Sequence, residues 1–178
     1  MLMDSAQLSV LVIDMQTRLL PAIADGDALV ARMASFLEAM RVLEVPIVAT
    51  EHCAGQLGPS SQALPLQSAE IVQKRSFAAT ASRAVSHLAP GSQVIVVGCE
   101  AHVCVLQTVA GLIAAGRTVW LIDALVGSRD AHDCELAVAR MQHMGAHRVS
   151  TEMVYFECLR SADHPKFRQM IARIRDRS

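Results

Sequence analysis

Three side chains stand where chemistry can be done: Asp14, Lys74 and Cys104. Each follows an apolar, β-branched run. Asp14 closes Val10-Leu11-Val12-Ile13, Lys74 closes Ile71-Val72-Gln73, and Cys104 comes shortly after Val94-Ile95-Val96-Val97-Gly98. A carboxylate at the end of a buried strand is costly unless it is paired or used. A cysteine in the first turn of a helix faces free N–H groups and the positive end of the dipole, which favour the thiolate. The trio thus reads as nucleophile (Cys104), proton acceptor (Asp14) and charge-stabilising, orienting group (Lys74) for covalent catalysis. Backbone N–H groups at the helix start would hold an oxyanion.

The elements that must position them alternate in type. Leu8–Ile13, Pro46–Thr50, Glu70–Gln73, Gln93–Val97, Thr118–Ile122 and Arg148–Thr151 read as strands. Helical patterns cover Ala28–Leu43, Thr80–Leu88 with Thr80 as N-cap, His102–Ala115, Asp130–Met144 and Pro165–Arg175. Glu51–Leu66 reads as one long loop, a length that in a compact domain usually means function. Strand–helix alternation implies an α/β fold with a parallel sheet covered on both faces. With the six strands in the order 3-2-1-4-5-6, strands 1 and 4 flank the switch point where such sheets bind ligands. Asp14 and Cys104 would then share one crevice, and Lys74 would lean in from two strands away.

The chain has 178 residues, 52% hydrophobic and only 3% aromatic, which suits a single domain over 1–178 with an aliphatic core. A formal net charge of −1 without charged blocks argues against nucleic acid as partner. No apolar run reaches membrane-spanning length, and the N-terminus lacks the pattern of a secretory signal. Five cysteines without a C-x-x-C pair point to reduced thiols and a cytoplasmic setting. Cys99, Cys134 and Cys158 read as core residues, and Cys53 as a loop thiol. Glu51 and His52 read as pocket rim; His102 serves either the pocket or a hydrogen bond at the helix start. The high apolar content fits a homo-oligomer, dimer or tetramer. A non-catalytic oligomeric interaction protein is the alternative to an enzyme. A nucleotide-binding protein lacks its glycine-rich turn after the first strand.

Three blocks, Val12-Ile13-Asp14-Met15-Gln16, Gln73-Lys74-Arg75-Ser76-Phe77 and Val97-Gly98-Cys99-Glu100-Ala101-His102-Val103-Cys104-Val105, resemble the isochorismatase-like cysteine hydrolases. Thr50-Glu51-His52 through Leu57-Gly58-Pro59 looks most like the isochorismatase-domain-containing subgroup. The resemblance implies a three-layer αβα fold, a catalytic triad of Asp14, Lys74 and Cys104, and attack on a small amide, ureido or related acyl compound. It also implies a non-proline cis peptide between Glu100 and Ala101, an oxyanion hole from the Ala101 and Cys104 N–H groups, and a pocket lined by Gln16, Glu51, His52, Phe77, Glu100 and His102. Nicotinamidases of this kind bind a metal after the second strand. Here Thr50-Glu51-His52-Cys53 lacks the second histidine, so neither metal nor other cofactor is expected.

Overall fold

The computed structural model describes residues 1–89, 91 and 93–175. Six parallel strands form one sheet: β1 (Leu8–Ile13), β2 (Ile47–His52), β3 (Glu70–Lys74), β4 (Gln93–Cys99), β5 (Thr118–Gly127) and β6 (His147–Arg148). Their order is β3-β2-β1-β4-β5-β6, the expected one. Every residue of β1 is buried, so both of its faces are covered. Leu8, Val10 and Val12 face one core, and Leu11 and Ile13 the other, following the period-2 alternation of a strand.

Helices α1 (Gly26–Val42), α5 (Thr151–Leu159) and α6 (Phe167–Arg175) cover the first face through Leu29, Met33, Phe36, Leu37, Tyr155 and Met170. Helices α3 (Leu106–Ala114) and α4 (Ala131–His143) cover the second through Val109, Leu112, Ala137, Val138 and Met141. A four-residue helix, α2 (Ala54–Leu57), follows β2. The Asp130 carboxylate caps α4 by accepting from the N–H groups of His132 and Asp133. Gly116, at φ 76°, ends the α3 region, as its position after the apolar pattern predicts. Among the described residues no helix is long and apolar enough to cross a membrane.

Several elements differ from expectation. The segment predicted as a helix over Thr80–Leu88 is two 3₁₀ turns, Ala79–Ala81 and Arg83–His87, and Ser82 rather than Thr80 supplies the cap by accepting from the Ala84 N–H. Hydroxyls that bond locally offset a continuous helix there. The expected strand Arg148–Thr151 is only His147–Arg148, because Ser150 starts α5, a helix the sequence reading passes over. The expected long loop begins later than Glu51, since Glu51 and His52 complete β2 by pairing with Gln73 and Lys74. β5 runs on to Gly127, with a register shift opposite Val96 to Gly98.

Candidate active site

The three strand-end residues converge. β1 stops at Asp14, which takes a left-handed conformation (φ 49°) and donates its N–H to the Thr50 carbonyl at 3.1 Å. That turn aims the carboxylate across the ends of β2 and β3. Asp14 Oδ2 accepts from Lys74 Nζ at 2.7 Å, and Oδ1 accepts from Thr50 Oγ1 at 2.7 Å. Lys74 also donates to the Ser76 and Phe77 carbonyls at 3.2 and 3.1 Å, so all three ammonium donors are engaged. Both ionic side chains are buried, at 0% and 1% exposure. Such a pair survives desolvation only where each remaining valence is met, and here Thr50 and two carbonyls meet them.

Cys104 lies in a single wide turn, Ala101–Val105, that joins β4 to α3. Its thiol lies close enough to Asp14 and Lys74 to feel both charges. The expected lowering of its pKa runs against the structure: burial, and then the Asp14 charge, push the thiol up to about 12 against the opposing pull of Lys74. The field at a helix start favours the thiolate, but burial in apolar surroundings disfavours it. Cys104 is only 7% exposed, so desolvation wins and the resting group is a thiol.

The cis peptide is also displaced from its expected place. It joins Cys99 and Glu100, one residue earlier than Glu100–Ala101. β4 still pairs with β5 at Cys99, opposite Gly127, so the chain reverses directly at the strand's last residue. The Val103 and Val105 N–H groups donate back to the Glu100 carbonyl at 3.1 Å, which closes the turn; Ala101 and Cys104 lie in the same turn. Gly98 permits the approach of β4 to β1: at φ 119°, an added Cβ would stand 2.1 Å from the Ile13 carbonyl oxygen.

The remaining pocket candidates divide by where they bond. The Gln16 side chain is fully buried; its amide donates to the His52 and Gly58 carbonyls at 3.1 and 2.6 Å and accepts from the His52 N–H at 2.8 Å. It acts as a strut between β1 and the segment after β2. Glu51 Oε1 accepts from the N–H and hydroxyl of Ser60 at 2.7 and 2.9 Å, tying down the same segment. The His52 ring rests against the half-exposed Phe77 ring, 5.4 Å between centroids, and His52 Nδ1 is buried with no hydrogen-bond partner among the described residues. Glu100 takes Arg129 Nε at 2.7 Å. His102 Nδ1 lies 2.9 Å from Ser128 Oγ, with Nε2 3.9 Å from Asp133, so the Cys104 turn is fastened to the β5–α4 connection. A groove of about 410 Å³ beyond Ser128, lined among others by Arg32, Asp123, Cys134 and Arg148, does not include Asp14, Lys74 or Cys104. Among the described residues no three His, Cys, Asp or Glu side chains group closely enough to hold a metal ion.

Thr50, Ser60, Thr108 and Ser128 were not anticipated. Each is a small hydroxyl residue; Thr50, Thr108 and Ser128 have partners 26 or more residues away, and Ser60 bonds Glu51 nine residues back. Thr108 alone leaves a trace, since it follows Cys104 by four residues and so shares its helix face.

The fold and these side chains define a three-layer α/β protein with a buried acid–lysine pair set against a cysteine. Residues 9–153 match the isochorismatase domain model. The chain is 30% identical to isochorismatase domain-containing protein 2A of Mus musculus over 88% of its own length and 77% of that protein. It is 30% identical to isochorismatase domain-containing protein 2 of Danio rerio, over 90% and 83%. A solved structure titled as the MAR1 ribonuclease from Caenorhabditis elegans superposes with a TM-score of 0.88 at 26% identity, covering 98% of this chain and 92% of that one. The chain belongs to the isochorismatase-domain family, and that membership supports a hydrolase function.

Proposed function

We propose that the protein is a cofactor-independent cysteine hydrolase acting on a small amide, ureido or related acyl compound. The observation that carries this reading is the buried Lys74–Asp14 pair at 2.7 Å interacting with the Cys104 thiol. Because the resting group is a thiol, its proton passes to Asp14 as sulfur attacks the carbonyl carbon. The Ala101 and Cys104 N–H groups receive the oxyanion. Collapse of the tetrahedral adduct breaks the C–N bond, and protonated Asp14 returns its proton to the leaving amine. A thioester remains. Water, deprotonated by Asp14, then releases the acid and restores the thiol. Lys74 holds the carboxylate in place and balances its charge throughout. Gln16, Glu51, His52, Phe77, Glu100 and His102 shape and brace the crevice.

The test is a screen of amide and ureido compounds for ammonia or acid release, run beside Cys104→Ala. Activity lost in the variant, with an acyl adduct on the Cys104 peptide of the parent, supports the mechanism; activity that survives the substitution overturns it. RNA is included, since the similar structure from Caenorhabditis elegans is titled a ribonuclease. RNA cleavage that survives Cys104→Ala would replace this reading. The exposed Met1, Leu2, Met153 and Phe156 favour an additional oligomeric surface, dimer or tetramer, measurable by light scattering. All five cysteines are free, which suits a reducing compartment such as the cytoplasm.

A further inference from the structure

We infer that Thr108 is a positioning residue that holds the Cys104 turn in place against the Lys74 clamp. The inference rests on Cys104 as the nucleophile. Thr108 is fully buried in α3, and its hydroxyl donates to the Cys104 carbonyl at 2.6 Å. Alone, that is a common back-bond of a helical threonine. The same oxygen, however, accepts the Ala79 N–H at 2.9 Å, from a segment 29 residues earlier. That segment carries the carbonyls of Ser76 and Phe77, which take two of the three Lys74 donors. Ser76 Oγ in turn bonds the Ala78 carbonyl at 2.9 Å. One hydroxyl therefore links the backbone of the nucleophile to the backbone that aims the lysine.

A second contact seats the same segment on the same helix face. Gly111 lies three residues after Thr108, and an added Cβ there would stand 2.3 Å from Thr80 Oγ1. Close approach at Gly111 and the shared hydroxyl at Thr108 together set how far the segment at Ala79–Thr80 stands from α3. Without the hydroxyl, the buried Ala79 N–H and Cys104 carbonyl lose a partner at once, and the two halves of the site can drift apart. Misplacement of about 1 Å in a reacting group costs on the order of a hundredfold in rate.

The experiment labels native protein with iodoacetamide and follows the Cys104 and Cys53 peptides by mass spectrometry across neutral to alkaline pH. Thr108→Val is expected to slow Cys104 labelling by about ten- to a hundredfold and to change its pH profile, with Cys53 unaffected. Thr108→Ser restores rate and profile. Gly111→Ala, which touches none of the hydrogen bonds, slows Cys104 selectively. Thr108→Val labelling at the parent rate and profile overturns the inference, as does equal slowing of both cysteines. Should Thr108→Val not fold, Gly111→Ala and Thr108→Ser decide the matter: a parental profile in the former, or no recovery of one in the latter, overturns it. Asp14→Asn separates the two levels. If it leaves Cys104 labelling unchanged, the nucleophile assignment itself falls; if it changes the rate or pH profile of labelling in either direction while Thr108→Val does not, only the role of Thr108 falls.

Discussion

Lys74 and Asp14 depend on each other more than on their surroundings. Each is a charge removed from water, and the pair distance of 2.7 Å leaves no room for solvent between them. Deleting one partner leaves the other buried and uncompensated, which costs about 3–5 kcal/mol, whereas replacing both with neutral groups costs far less. Lys74→Met is therefore expected to lower the urea midpoint sharply, and the double variant Asp14→Asn/Lys74→Met to recover most of that loss. Additive effects in this cycle would show that the two charges do not stabilise each other. The positions of these residues were legible because each stands at the end of an apolar run. The hydroxyls that complete the cluster were not, since Thr50 bonds Asp14 36 residues away and Thr108 takes the Ala79 N–H from 29 residues away.

At the scale of elements, the critical contact is between β1 and β4, the strands that deliver Asp14 and the Cys104 turn. Gly98 pairs with Ile13 at its closest point, and backbone atoms rather than a flexible side chain occupy the space a Cβ would need. Gly98→Ala is expected to destabilise by about 3 kcal/mol or more, from steric overlap and from a φ that alanine resists. A denaturation midpoint within experimental error of the parent would refute this. Strands and long helices were readable from periodicity alone. α5 was not, because Val154, Tyr155 and Phe156 favour strand locally, and the helix is secured by Ser150 accepting the Met153 N–H and by burial of Tyr155, Cys158 and Leu159. The wide turn at Ala101–Val105 was read as ordinary helix, since apolar spacing does not distinguish the two.

Over the whole molecule, burial raises several thiols together. Cys104 is held at about 12 and Cys158 at about 11, both chiefly by desolvation, and Cys99 is raised further. An unfolded chain ionises its thiols near 8.5. Above that pH the folded protein keeps protons that the unfolded chain releases, so stability falls as pH rises. The contribution is complete below about pH 8.5 and is lost progressively toward the folded values. The melting temperature is accordingly expected to decline between pH 9 and 11, and less steeply in Cys104→Ser. Parallel profiles for parent and variant would show that Cys104 ionises as freely folded as unfolded.

Strand positions, the parallel sheet and the three chemical side chains follow from sequence alone, because burial on both faces leaves continuous apolar runs and polar residues at their ends stand out. Tertiary structure decided the state of the Cys104 thiol. Its proximity to a helix start was visible in the chain and pointed to a thiolate. Its burial and the neighbouring Asp14 carboxylate come from strands distant in sequence, and both keep the proton on sulfur.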